Sequence, residues 1–134
     1  MKNLTLKSIV LTVAIAAASL SATTSTTFAA ETVPLTQAAT VEYMHFNLIE
    51  GANPDDFLRE TLAVDSILEN YKGFVARHLA RNSDGSWVEV VYWETLKDAE
   101  EALPRFVKDE RTKGFLSLVD SESLSVKYST LFEF

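Results

Sequence analysis

The stretch Gly85–Ala102, GSWVEVVYWETLKDAEEA, decides the fold. Trp87–Trp93 alternates with a period of two, the signature of a β-strand. Thr95 and Asp98 then stand at the Ser/Thr-x-x-Asp/Glu spacing that starts a helix. Leu96, Ala99, Leu103 and Phe106 follow at three- and four-residue steps, giving that helix an apolar stripe. Pro104 lies inside it and, lacking an N–H, is predicted to kink or divide it.

Working outward, FVARHLA (74–80) is a second strand. RNSDGS (81–86) joins it to the first with hairpin-loop residues. Upstream, Asn53 is a good N-cap and Pro54 suits the first helical position. Asp55 and Asp56 complement the helix dipole there. Phe57, Thr61, Val64, Leu68 and Tyr71 form a buried stripe, and Gly73 ends the helix. VEYMHFNLI (41–49) precedes it as a strand, with Met44, Phe46 and Leu48 on one face and Tyr43, His45 and Asn47 on the other. KGFLSLVD (113–120) reads as a short helical turn and SLSVKYSTLF (123–132) as the last strand.

The order βαββαβ is the α+β, ferredoxin-like split unit. It predicts a four-stranded antiparallel sheet with both helices on one face. The other face needs a cover, and a second copy of the sheet would supply it as a homodimer.

The middle strand has a choice of faces. The Val88, Val90, Tyr92 set is the more uniformly apolar and is assigned to the helices. Trp87, Glu89, Val91 and Trp93 then look toward the open side. Setting Ala80 opposite Trp87 across the hairpin places His78 opposite Glu89, Ala76 opposite Val91 and Phe74 opposite Trp93. Trp87, Trp93, Phe74 and Tyr43 become an aromatic wall, with His45, Asn47, His78 and Glu89 as polar groups. Small-molecule pockets have that makeup. The same residues also fit plainer roles. Two tryptophans suit a dimer contact, and His78 with Glu89 suits a cross-strand pair. His45, His78 and Glu89 could in principle ligate a metal, but their spacing does not demand one, and none is expected.

Met1-Lys2, Lys7, the apolar run Ile9–Leu20 and TTFAAE form a signal-peptide pattern, with cleavage expected after Ala29. The apolar run is too short for a bilayer core, which needs about 20 residues, so no stable membrane anchor is expected after cleavage. The expected organisation is a signal peptide over 1–29, a flexible lead-in over 30–40 and a single domain over 41–134. Export to the periplasm or the exterior follows. Cysteine is absent, which excludes disulfides, thiol nucleophiles and zinc-thiolate sites. Losing Lys2 and Lys7 takes the formal charge from −7 to −9. Nucleic acid is a poor partner for that surface, since phosphates require clustered Lys and Arg. No nucleophile elbow, phosphate-binding glycine loop or H-E-x-x-H helix occurs.

The run GFVARHLARNSDGSWVEVVYWETLKDAEEA (73–102) resembles the antibiotic biosynthesis monooxygenase-like family. The resemblance lies in a Gly-Phe opening a strand, a hairpin, and a strand ending in Trp before a polar helix start, within a likeness spanning Val41 to Phe134. It implies a dimeric α/β barrel that holds a hydrophobic, planar ligand between two subunits. Its members include enzymes that oxidise aromatic substrates with O₂ and no metal or flavin, beside haem-degrading ones and others with no assigned chemistry, and no cofactor is expected here. Trp93 matches the family's pocket tryptophan and Asn47 its strand-one asparagine. Haem-degrading members carry an iron-binding histidine on the second helix, and Leu96–Leu118 has none.

Two functions follow. One is a cofactor-independent monooxygenase, or a related isomerase, on a small hydrophobic or aromatic substrate. In it Asn47 and Trp93 hold the substrate, Trp87, Tyr43, Phe74 and Glu89 line its site, and His45 or His78 accepts a proton. The other is a non-catalytic barrel protein binding a similar ligand.

Overall fold

The computed structural model describes residues 35–132. The expected signal segment and the first residues of the lead-in lie outside them. After a 3₁₀ turn at Leu35–Gln37 come β1 (Thr40–Phe46), α1 (Pro54–Leu68), β2 (Phe74–Arg81), β3 (Trp87–Trp93), α2 (Leu96–Lys108), a second 3₁₀ turn at Glu110–Thr112, α3 (Lys113–Leu118) and β4 (Ser125–Thr130). The strands form one antiparallel sheet in the order β2-β3-β1-β4. This is the ferredoxin-like α+β architecture expected from the sequence. Among the described residues no helix is long and apolar enough to cross a membrane.

Local signals set the helix starts. The Asn53 side chain accepts from the Asp55 N–H, with Pro54 at the first turn of α1. Thr95 Oγ1 accepts from the Asp98 N–H and donates to Asp98 Oδ2 at 2.5 Å. Gly73 has φ 73°, a left-handed conformation that glycine adopts without strain. Its added Cβ would also meet the Asp98 side chain. Pro104 does not divide α2, which runs through it to Lys108. The buried residues of α2 include Ala99, Ala102 and Phe106, whereas Leu96, expected in the stripe, is exposed.

The core lies between the sheet and the helices. Phe57, fully buried, packs at 4.8 Å from the Trp87 ring and 5.1 Å from Phe115. Phe46, Val64, Ile67, Val91, Trp93 and Phe106 complete it. Edge-to-face contacts such as Phe46 on Phe57 add about 0.5–1.5 kcal/mol each beyond burial.

Two expectations about β3 are overturned. Arg81 faces Trp87, Leu79 faces Glu89 and Arg77 faces Val91, one residue away from the expected register, while Phe74, beyond a bulge, faces Trp93 as expected. The faces are reversed too: Trp87, Glu89, Val91 and Trp93 look toward the helices and are buried. A one-residue slip in an alternating ladder exchanges faces wholesale. Burying two indoles on the core side outweighs the more uniform apolar character of the valine set. The charge of Glu89, which argued against that face, is neutralised there by Arg77. On β1 the expected faces hold, with Phe46 in the core and Met44 packed against it. On β2, His78 lies on the open side and its ring meets Tyr92, while a bulge between Phe74 and Ala76 turns Phe74 inward against Trp93, at 5.8 Å.

Candidate functional site

The expected site does not form as one constellation. His45, His78 and Tyr43 lie on the open face of the sheet, whereas Trp93, Trp87, Phe74 and Glu89 lie on the helix side. His45, His78 and Glu89 therefore cannot share a metal, and among the described residues no other His, Asp and Glu cluster has that geometry. Asn47 is exposed just beyond β1, and its backbone N–H donates to Ser123 Oγ.

His45 belongs to a different network. Its Nε2 lies 3.1 Å from Ser86 Oγ, which donates to Asp84 Oδ1 at 2.6 Å and accepts from Asn82 Nδ2. The serine proton goes to the aspartate, so the imidazole does not activate that hydroxyl as a nucleophile. The Ser86 hydroxyl and backbone N–H hold the Asp84 carboxyl below its usual range. These contacts secure the β2–β3 hairpin.

A cavity of about 80 Å³ lies between the sheet and helices α2 and α3. Met44 and Phe46 of β1, Val91 and Trp93 of β3, Phe106 of α2 and Phe115 of α3 supply its apolar wall. Val107 and Leu124 also line it and are exposed at 57% and 38%, so the cavity reaches the surface there. Two carboxylates face it, Glu42 from β1 and Glu89 from β3.

These two carboxylates are treated differently. Glu89 is clamped by Arg77, with Nε to Oε1 at 2.8 Å and Nη2 to Oε2 at 3.0 Å. Arg77 Nη1 reaches on to Asp65 of α1 at 2.8 Å. Burial lowers the Arg77 pKa, but the hydrogen bonds and charges of Glu89 and Asp65 outweigh it and raise it overall. Glu42 is 3% exposed and has no such cation. Its Oε2 accepts the Trp93 indole N–H at 2.9 Å, and the Tyr128 hydroxyl is the other hydrogen-bonding neighbour of this carboxyl, although Oε1 has no partner at ordinary hydrogen-bond distance. Burial raises the Glu42 pKa to about 7. The Trp93 hydrogen bond opposes that rise, the Glu89 charge adds to it, and a hydrogen bond with Tyr128 opposes it more weakly. Tyr128, opposite Glu42 in the β1–β4 ladder, is itself pushed up to about 12 by burial and by the Glu42 charge.

A carboxyl in a largely apolar cavity with its pKa near neutrality can accept or deliver a proton. Glu42 was not among the residues singled out from sequence. A signal for it existed: it stands in phase with Met44 and Phe46 on the apolar face of β1, where a charge is out of place.

SnoaB, a cofactor-independent oxygenase from Streptomyces nogalater, superposes in its N63A form with a TM-score of 0.55 at 21% identity, covering 72% of this chain and 97% of that one. The ActVA-Orf6 monooxygenase of Streptomyces coelicolor, in complex with nanaomycin D, gives 0.54 at 18%, covering 74% and 92%. A Bordetella bronchiseptica protein described as a candidate antibiotic biosynthesis monooxygenase gives 0.56 at 16%, covering 71% and 99%. The fold is that of the antibiotic biosynthesis monooxygenase-like proteins. No family model and no curated protein matches the chain. At these identities the monooxygenase-like fold is shared, whereas chemistry has to be argued from the site itself.

Proposed function

We propose that the chain is exported and acts as a dimeric, cofactor-independent monooxygenase on a small hydrophobic or aromatic substrate held between the sheet and α2–α3. The carrying observation is a largely apolar cavity that contains one carboxyl, Glu42, with no counter-cation and a pKa near 7. Without flavin or metal the electrons must come from the substrate. Glu42 takes a proton from an activated substrate carbon, and the resulting carbanion combines with O₂ to form a carbon-bound peroxide. The O–O bond then breaks with loss of water. A CH₂ and O₂ become a carbonyl and H₂O, so atoms and electrons balance. The proton-accepting role first expected of His45 or His78 passes to Glu42 in this reading, because both imidazoles lie on the other side of the sheet. Trp93 keeps a place at the site by holding Glu42.

Self-association is supported by the open face, where Val41, Val88, Val90 and Tyr92 present a half-buried apolar surface in the single chain. Export rests on the signal pattern of the first thirty residues, and the mass of the mature protein recovered from outside the cytoplasm would test it. The test of function is oxygen uptake with a panel of small quinols and activated cyclic ketones under air. Uptake abolished in Glu42→Gln supports the oxygenase. No uptake across the panel, with a small molecule retained through purification in native mass spectra, selects the non-catalytic binding protein instead.

A further inference from the structure

A second concavity lies beside the ends of α1 and α2. This depression of about 320 Å³ is lined by Asn70, Tyr71, Arg105, Lys108, Asp109 and Arg111, none of which lines the apolar cavity. Its charge is out of keeping with the rest of the chain. With 19 acidic residues against 12 basic ones, a carboxylate is easily found for a cation. Arg59, Lys72, Arg77, Lys97, Arg111 and Lys113 each pair with one. Arg105 and Lys108 have none within salt-bridge distance among the described residues, yet they stand three apart on α2, where like charges repel. Arg111 chelates Asp109, with Nε at 3.0 Å from Oδ1 and Nη2 at 2.6 Å from Oδ2, so those two charges cancel. The depression is left with a surplus of positive charge from Arg105 and Lys108.

The α2 dipole favours cations in its last turn, but that leaves the placement of Arg105 unexplained. Its guanidinium lies 4.4 Å from the centre of the Tyr71 ring. The Phe106 carbonyl near the helix end is instead met by the Asp109 N–H and the Thr112 hydroxyl. An arginine stacked on a ring is held in position with its N–H edge available, the arrangement that receives an oxyanion through two parallel hydrogen bonds. Burial raises the Tyr71 pKa; Asp109 adds to the rise, and Arg105 and Arg111 oppose it, so the hydroxyl lies among these three charges.

We propose that this depression binds a small oxyanion with two negative charges, of the phosphate monoester class. Arg105 supplies the fork of donors, Lys108 the second charge and Tyr71 a hydroxyl donor. The site is independent of the apolar cavity and of any turnover there.

The experiment adds phenyl phosphate at pH 7 and constant ionic strength, where a phosphate monoester carries a charge of about −1.5 to −2. Calorimetry gives the affinity, and the Arg105 Nε–H resonance, assigned with Arg105→Gln, reports occupancy. Phenol and chloride are the controls. Wild type should bind phenyl phosphate saturably, and either control about tenfold or more weakly, the scale of one hydrogen bond to a charged group. Arg105→Gln and Lys108→Gln should each weaken phenyl phosphate by about tenfold. Asp109→Asn keeps a capping side chain for the second 3₁₀ turn and removes the one carboxylate among the lining residues, so it should tighten binding. If the two cations serve only the helix dipole, their variants will melt at lower temperature with phosphate affinity unchanged or absent, which would overturn the proposal. An unmoved Arg105 resonance, or weaker binding in Asp109→Asn, would overturn it too. Vesicles separate the two sources of such a group. Co-sedimentation with phosphatidic acid but not phosphatidylcholine, lost in Arg105→Gln, supports the site with a lipid headgroup as its ligand. Saturable phenyl phosphate binding without co-sedimentation supports it with a free phosphate ester.

Discussion

Trp93 and Glu42 lie diagonally across the β1–β3 ladder, and the indole N–H of one is the hydrogen bond that holds the carboxyl of the other in the core. Trp93→Phe keeps a ring in place and removes that donor. Both Glu42 oxygens are then left without the N–H, which costs about 1–3 kcal/mol for a buried acceptor and more when it is charged. Urea denaturation should show a larger loss at pH 8 than at pH 5, because the ionised carboxylate needs the donor more. A loss independent of pH would mean that only packing was disturbed.

The raised pKa of Glu42 has its own consequence for stability. The folded value of about 7 exceeds the ordinary 4.5, so between those values the native state binds more protons than the unfolded chain. The contribution is favourable below about pH 4.5 and is lost as pH rises through 7, by about 3 kcal/mol at most. Glu42→Gln removes that dependence. Its melting temperature should exceed that of wild type at pH 8, with the difference shrinking toward pH 5. Asp84 and Asp109, whose pKa values are lowered, weaken both proteins alike in acid and cancel in the comparison. Parallel curves would refute the assignment.

Arg77 and Glu89 form the second buried pair. Arg77→Met strands the Glu89 carboxylate among apolar neighbours, and breaking a buried pair from one side costs about 3–5 kcal/mol. The double variant Arg77→Met/Glu89→Leu should recover most of that loss, since a well-packed apolar replacement is often neutral. Chemical denaturation of the two single variants and the double variant measures the coupling. Additive losses would show that the two side chains act independently.

What was legible in the sequence was local. Asn53, Pro54, Gly73 and the Thr95–Asp98 pair carry their structural meaning within a few residues, so both long helices and the βαββαβ order could be read directly. The face of β1 could be read as well, because Met44 and Phe46 face the core in simple alternation. The face of β3 depends on partners far away in the chain. Glu89 is tolerable in the core only because of Arg77, and the Trp93 N–H only because of Glu42, 51 residues earlier. The bulge beside Phe74 leaves no clear mark in composition, so straight alternation placed that ring on the wrong side. The candidate site failed for the same reason: it was assembled across a register that long-range pairing had shifted by one.

The histidines provide a fourth prediction. His78→Ala and His45→Gln alter the open face and the hairpin network but not the cavity. Oxygen uptake in both variants should stay within about twofold of wild type. By contrast, Val90→Glu places a charge at the centre of the open face and should convert the proposed dimer to a monomer in sedimentation velocity. A variant that sediments as wild type would remove that face as the self-association surface.

Parity along β3 separates two duties carried by the same seven residues. Odd-numbered positions, 87 to 93, face the helices, and three of them, Glu89, Val91 and Trp93, line the cavity, while even-numbered ones face the open side of the sheet. A mutant library randomised only at even sites would therefore alter the open face while preserving the cavity, and one confined to odd sites would reshape the cavity while leaving the open face alone.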